Sequence, residues 1–253
     1  MKNKEVAVLL TCYNRKEKTL ACLRSFYEAD KPADYLFDIF LVDDGSTDGT
    51  ADAVRQNYSD ITVIEGDGSL FWAGGMRLAW QTALNNNEYD AFLLLNDDVL
   101  LSKDFLNDII QTDEYSLINT GERGIYSAPT IDDTAKKVTY GAYKVKTNHF
   151  IVKNKLLTPT NIPQQCDLTN ANILWISKET VDSIGIFDVQ YTHGIADFDY
   201  SMRAVRKGIP VYLAPNFGGI CFHDHGKPWK SNNVPLKDRI AYLKSPKGIA
   251  YDD

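Results

Sequence analysis

Apolar positions in the first half of the chain alternate between two periods. Val6 to Thr11 is a short continuous apolar run, after which Leu20, Leu23, Phe26 and Tyr27 recur at helical spacing. Asn14, three residues before Glu17, has the form of a capping box at the head of that helix. The pattern then repeats: Phe37 to Asp43 strand-like, Thr47 to Tyr58 helical, Ile61 to Glu65 strand-like, Gly75 to Asn86 helical, Ala91 to Asn96 strand-like, and a helix from Ser102 to Gln111. Alternating units with short connections predict a mostly parallel sheet with helices on its faces. In such sheets chemistry sits at the carboxyl ends of the strands. Here those ends read Thr-Cys-Tyr-Asn, Asp-Asp-Gly-Ser, Gly-Asp-Gly-Ser and Asn-Asp-Asp, more polar than turns alone require.

After about Gly121 the alternation fades into short β-like pieces around Tyr126, Val138 to Val145, Phe150 to Val152 and Ile173 to Ile176. Lys178 to Ile184 and Asp197 to Lys207 read as helices, the second stopped by Gly208 and Pro210. This predicts a second, mixed-sheet half. With no internal repeat and no long Pro/Gly/Ser linker, a single continuous fold is expected.

Composition narrows the class. The 253 residues, 44% apolar and 24% charged, suffice for a sizeable core. Lys and Arg number 27 against 34 Asp and Glu, and a net charge of −7 argues against a broad nucleic-acid surface. Cys12, Cys22, Cys166 and Cys221 form no CxxC pair, so free thiols in a reducing compartment are expected. No apolar run approaches the roughly 20 residues that span a bilayer, and MKNKEVAVLLTCYN enters a strand rather than a signal-peptide core. A cytoplasmic location is the expectation. The tail differs: between Gly226 and Ile249, Lys227, Lys230, Lys237, Arg239, Lys244 and Lys247 face Asp238 alone. That basic segment is read three ways: a solvated surface, a peripheral contact with anionic lipid at the inner membrane face, or a lid over a bound pyrophosphate.

Asn96-Asp97-Asp98 places two carboxylates directly after an apolar strand, where mutual repulsion is costly unless a cation is shared. Hard oxygen ligands suit Mg²⁺ or Mn²⁺, which keep waters and take further ligands from substrate phosphates. A helix cap or Asx turn before Ser102 is the competing explanation. Asp43-Asp44-Gly45-Ser46 is a second acidic turn, where Ser46 or Thr47 can cap the next helix. Asp44, the first residue beyond the strand, is placed to accept a hydrogen bond from a nucleobase imide or a ribose hydroxyl. Neither GxGxxG after the first strand nor GxxxxGK[S/T] occurs, which excludes a plain Rossmann dehydrogenase and a P-loop NTPase.

Four segments together resemble a family 2 glycosyltransferase of the GT-A fold, and its rhamnosyltransferase-like branch in particular. They are VAVLLTCYNR, LVDDGSTDGT, GDGSLFWAGGMRLAW followed by LLLNDDV, and GIADFDYSMRAVRKG, in the family's order and spacing. The resemblance implies an α/β fold of GT-A type: a Rossmann-like nucleotide-sugar-binding half (about 1–120), a mixed-sheet acceptor and catalytic half (about 121–225), and the basic segment (about 226–253). It implies that Thr11, Tyr13 and Asn14 border the nucleotide, that Asp44 is the base-binding acid, and that Gly74, Gly75 and Arg77 lie along the nucleotide-sugar. Asn96-Asp97-Asp98 stands in place of the DxD motif, with Asp97 beside the ribose and Asp98 the main ligand of Mn²⁺ or Mg²⁺. Ala196-Asp197-Phe198-Asp199 matches the Glu-Asp-x-Asp pattern, making Asp197 the expected catalytic base, with Ala196 replacing the supporting glutamate.

The family often places a histidine where Phe222-His223-Asp224-His225 stands, and His223 or His225 can complete a metal shell. Lys227 and Lys230 are placed to steady the diphosphate, Trp175 and Trp229 to stack on a sugar, and Trp72 to sit in the core. The expected reaction moves a sugar from a nucleoside diphosphate to a hydroxyl of a glycan or lipid-linked acceptor, with inversion, in surface polysaccharide synthesis. Uracil and thymine present the same imide edge, so UDP- and dTDP-sugars, rhamnose among them, both stand. Two other classes compete: a nucleotidyltransferase that activates sugars, against which TCYNRKEK lacks the glycines of a phosphate loop, and a non-catalytic nucleotide-binding partner subunit.

Overall fold

A computed structural model describes residues 3–134, 136–148, 151–222 and 233–245. The first half runs β1 (Lys4–Cys12), α1 (Lys16–Glu28), β2 (Tyr35–Asp43), α2 (Thr50–Asn57), β3 (Ile61–Glu65), α3 (Phe71–Asn86), β4 (Ala91–Asn96), β5 (Leu100–Leu101) and α4 (Phe105–Thr120). Short strands follow: β6 (Ile125–Ser127), β7 (Thr130–Asp132), β8 (Lys137–Tyr140), β9 (Ala142–Asn148), β10 (Ile151–Leu156), β11 (Gln164–Gln165), β12 (Leu168–Thr169) and β13 (Ile173–Ser177). The chain continues through α5 (Lys178–Ile184), α6 (Ala196–Arg206), β14 (Val211–Leu213), β15 (Gly219–Ile220) and α7 (Leu236–Leu243).

The main sheet has the order β11-β14-β6-β13-β4-β1-β2-β3, so it passes through both halves of the sequence. β1 pairs in parallel with β2 on one side and β4 on the other, and β2 in parallel with β3. The chain therefore builds outward from β1 to β3 and then returns to place β4 on the opposite flank. That reversal is a topological switch point, which opens a crevice at the carboxyl ends of β1 and β4. β13 lies antiparallel to β4, with Ile173 opposite Leu95, so the segment entering β13 stands beside the acidic end of β4.

Apolar side chains cover both faces, which is why the central strands read as unbroken apolar runs. On β1, Val6, Val8 and Leu10 face a core shared with Leu23 and Phe26 of α1 and with Phe105 and Ile109 of α4. Ala7 and Leu9 face the other core, with Met76 and Trp80 of α3 and Tyr200 of α6. Trp80 contacts Phe92, Phe187 and Tyr200 at centroid separations of 5.5–5.6 Å, an aromatic knot joining α3, β4 and α6.

The elements predicted from the sequence pattern keep their types and differ at their ends, while β5, β7, β11, β12, β14, β15 and α7 are additional. No side chain caps α1; Asn14, with φ 49°, accepts instead the Thr47 N–H at 2.8 Å, so the capping box does not form. α2 starts at Thr50 and is capped by neither Ser46 nor Thr47. Asp48 accepts the Thr50 N–H at 3.1 Å and Asp43 the Ala51 N–H at 3.0 Å. α3 starts at Phe71 rather than Gly75 because Asp44, distant in sequence, supplies its acceptor. α4 is shifted to Phe105–Thr120 and ends at Gly121, whose φ of 77° suits glycine. Val138 to Val145 divides at Gly141, with β8 pairing β7 and β9 pairing β10 and β12. Trp175 is also corrected: it is 3% exposed in the core, 6.2 Å from the Tyr35 ring, and so cannot stack on a sugar.

Candidate active site

Four polar segments meet at the carboxyl ends of β1, β2 and β4. The turn after β2 is held by its own aspartates. Asp43 accepts N–H groups of Ser46 (2.9 Å) and Ala51 (3.0 Å), fixing the turn onto α2. Asp44 accepts those of Gly68 (2.9 Å), Leu70 (3.3 Å) and Phe71 (2.9 Å), drawing the loop after β3 onto the turn and capping α3. Gly66 is required there, since a Cβ would stand 2.7 Å from Asp44 Oδ1. Asn14 joins the loop after β1 to the same turn, donating its N–H to Ser46 Oγ at 2.8 Å and accepting from Thr47. Tyr13 projects from that loop, 56% exposed.

Thr11 is buried under α3, and a Cβ on Gly75 would lie 2.2 Å from Thr11 Oγ1. Gly75 thus permits the close helix–strand approach that brings the first turn of α3 to the crevice. Gly74 lies one residue earlier on that turn, its N–H bonded to the carbonyl of Leu70 at 3.1 Å. Arg77 reaches the loop before α6, where Nη1 donates to the carbonyls of Asp188 (2.9 Å) and Tyr191. The same loop accepts the Ala73 N–H at Thr192 O (3.0 Å) and the Trp72 N–H at His193 Nδ1 (3.4 Å). Trp72 is half-buried, with Nε1 donating to Asn96 Oδ1 at 2.8 Å.

The two acids after Asn96 have different partners. Arg15 Nη1 stands between them, 3.3 Å from Asp97 Oδ1 and 2.8 Å from Asp98 Oδ2. Thr19 Oγ1 donates to Asp97 Oδ2 at 3.2 Å, and the Cys221 thiol lies 3.8 Å from Asp98 Oδ1. Burial raises the Asp97 pKa to about 6; Arg15 opposes the rise and the Asp98 charge adds to it. Two adjacent carboxylates at a strand end fit Mg²⁺ or Mn²⁺, which need few protein oxygens when phosphates and water supply the rest. Among the described residues no group of three or more His, Cys, Asp or Glu could hold a metal alone. His223 and His225, with Lys227, Trp229 and Lys230, lie outside the described residues.

Asp197 opens α6 after Ile195, which has a φ of 57°, a strained conformation for a β-branched residue. Its Oδ2 accepts the Ala171 N–H at 3.2 Å and Asn170 Nδ2 at 3.4 Å, and its Oδ1 accepts the Phe198 N–H at 2.9 Å. Burial pushes its pKa up, while these donors pull it down. Asn172, next along, accepts the Asn96 N–H at 3.0 Å. The segment Asn170–Asn172 therefore touches Asp197 at one end and the head of the Asp97–Asp98 pair at the other. Asp199 is engaged elsewhere, paired with Arg203 Nε at 2.8 Å.

Arg15, Asn170, His193 and Tyr143 are additions to the residues read from sequence. The phenol of Tyr143 is raised by burial and then by the Asp197 charge. A signal existed only for Arg15: two buried acids demand a counter-charge, and this arginine ends the VAVLLTCYNR segment.

The fold and the carboxylates gathered at its switch point define a protein of the GT-A class. The profile of Glycosyl transferase family 2 matches residues 7–160, and the chain belongs to that family. Among solved structures, it resembles the mannosyltransferase PcManGT from Pyrobaculum calidifontis, in complex with GDP-Man and Mn²⁺, at a TM-score of 0.61 and 19% identity over 89% of this chain. It also resembles TarS 1-349 of S. aureus, at a TM-score of 0.57 and 16% identity over 87%. The chain spans 59% of the length of each. No curated protein matches the sequence. Among the described residues no helix is long and apolar enough to cross a membrane.

Proposed function

We propose that the protein transfers a sugar from a nucleoside-diphosphate donor to a hydroxyl of a glycan or lipid-linked acceptor, with inversion at the anomeric carbon. The observation that carries this reading is that the short segment Asn170–Asn172 bonds Asp197 at one end and, at the other, Asn96, the residue directly before the Asp97–Asp98 pair. Asp98, with Asp97 beside it, would hold Mn²⁺ or Mg²⁺; when bound, such a cation neutralises charge growing on the leaving diphosphate. Asp197 takes the proton of the acceptor hydroxyl, and the burial that raises its pKa makes it the stronger base. The N–H groups of Ala171 and Phe198 orient that carboxylate. Thr11, Tyr13, Asn14 and Asp44 border the base and ribose in this reading, and Gly74, Gly75 and Arg77 the sugar side. A uracil or thymine donor, rhamnose included, and surface polysaccharide as product belong to the same proposal. So does a cytoplasmic location with the basic tail resting on anionic lipid, which the exposed Leu236 and Ile240 on α7 beside Lys237 and Arg239 support.

Asp197→Asn should lower transfer by about 10²–10⁴-fold while nucleotide affinity, read by calorimetry, is unchanged. Normal turnover by this variant removes Asp197 as the base. Thermal-shift measurements with UDP, dTDP and GDP, each with and without Mn²⁺, identify the donor base, because a ligand of the folded state raises apparent stability.

A further inference from the structure

The Asp97–Asp98 pair has a cation of its own chain beside it. Arg15 Nη1 contacts both carboxylates, and the acid side chains are 7% and 12% exposed while the arginine is 39% exposed. The guanidinium thus reaches in from the surface to a site that two like charges would otherwise make costly. Its backbone is the N-cap of α1, with the carbonyl accepting the Thr19 N–H at 2.9 Å, directly after Asn14 in its left-handed conformation. Rotation of the arginine side chain alone would take the guanidinium off the acids and leave that backbone bond in place.

We propose that Arg15 is a built-in counter-ion for the Asp97–Asp98 pair, and that a divalent metal binds by exchange with its guanidinium rather than by filling a vacant site. The inference rests on reading Asp97 and Asp98 as the metal acids. Its physical consequence is a deliberately weak affinity for free metal. A cation arriving without a donor must displace a charge-assisted hydrogen bond and leave Arg15 without the two carboxylates. A cation arriving with a diphosphate brings oxygens that match the planar guanidinium fork, so the displaced arginine gains an acceptor. Arg15 is in this sense a positioning residue that couples metal to donor.

The decisive measurement is Mn²⁺ affinity of the full chain without nucleotide, read from the electron paramagnetic resonance signal of free Mn²⁺. Arg15→Gln should bind Mn²⁺ about ten-fold tighter than the unmodified protein, the factor a charge-assisted hydrogen bond commonly carries. Adding Asp98→Asn to that variant should abolish the gain, which locates the ion at the acid pair. An unchanged or weaker affinity in Arg15→Gln overturns the exchange. If the unmodified protein nonetheless binds Mn²⁺ and loses it with Asp98→Asn, the metal reading stands and this inference alone falls. Absence of Mn²⁺ binding in every variant removes the metal reading and the exchange together. Near-UV circular dichroism checks that Arg15→Gln folds. Should it not, Arg15→Lys decides: its compact ammonium bridges two carboxylates less well, so tighter Mn²⁺ binding than the unmodified protein supports exchange and equal binding overturns it.

Discussion

Two Asp-Asp pairs stand at the ends of parallel strands of the main sheet, and they are unlike in everything but sequence. Asp43 and Asp44 receive five backbone N–H groups, from Ser46, Ala51, Gly68, Leu70 and Phe71. Asp97 and Asp98 receive side chains instead: the Arg15 guanidinium, the Thr19 hydroxyl and a distant thiol. Backbone donors cannot be withdrawn without opening a turn, so the first pair is part of the scaffold even where it also meets a ligand. Side-chain donors can be exchanged, so the second pair keeps a charge that an incoming group can claim. The identity of the donor, backbone or side chain, separates a structural carboxylate from an available one.

The largest test of that difference is thermodynamic. Asp44→Asn replaces an acceptor-only group by one whose NH₂ must face a backbone N–H, which should cost about 2–4 kcal/mol in metal-free denaturation. Asp97→Asn removes a buried charge and should cost nothing at pH 7, or stabilise. If urea unfolding found the two substitutions equally damaging, both pairs would be scaffold and the contrast would fail.

A smaller effect follows from the protonation of Asp97. Its folded pKa of about 6 lies above the ordinary 3.8, so the folded state holds a proton more tightly than the unfolded chain does. The cost of ionised Asp97 is fully present above pH 6 and is relieved as pH falls from 6 toward 4. The stability advantage of Asp97→Asn over the unmodified protein should therefore be at most about 3 kcal/mol at pH 7 and shrink toward pH 4. Taking the difference between the two proteins cancels the other carboxylates that titrate in that window. An advantage independent of pH would mean that Asp97 is not the group that titrates.

Much of this was legible in the sequence because it depends on local pattern. The strands Ile61–Glu65 and Ala91–Asn96 and the helix Lys178–Ile184 have the limits their periodicity and turn residues imply. Helix starts were legible only where their caps are local: Ser177, beside α5, accepts the Thr180 N–H at 3.2 Å. The start of α3 was not, because its acceptor Asp44 is far along the chain and on another element. Trp175 misled for a similar reason. Nothing near it signals that β13 is inserted between β4 and β6 and covered on both faces. Within the site, the acids stood out as residue types, whereas Asn170 and His193 acquire meaning only through contacts made by folding.

The finest test concerns α3, whose first turn touches both neighbourhoods: the Phe71 N–H reaches Asp44 at 2.9 Å, and Trp72 Nε1 reaches Asn96 at 2.8 Å. Trp72→Phe keeps a ring against Phe187, 5.5 Å away in the native packing, but leaves Asn96 Oδ1 without the indole donor. Since Asn96 is only half-buried, water can replace that bond, and the loss should be about 1 kcal/mol or less. The indole holds Asn96, not the acids beyond it, so the pH window of Asp97 should stay where it is in this variant. If instead Trp72→Phe moved that window, the second pair would be governed by the rigid turn of α3 as the first is. The distinction between scaffold acids and exchangeable acids would then reduce to a difference in burial, and Arg15 would be one restraint among several rather than the group that holds the pair.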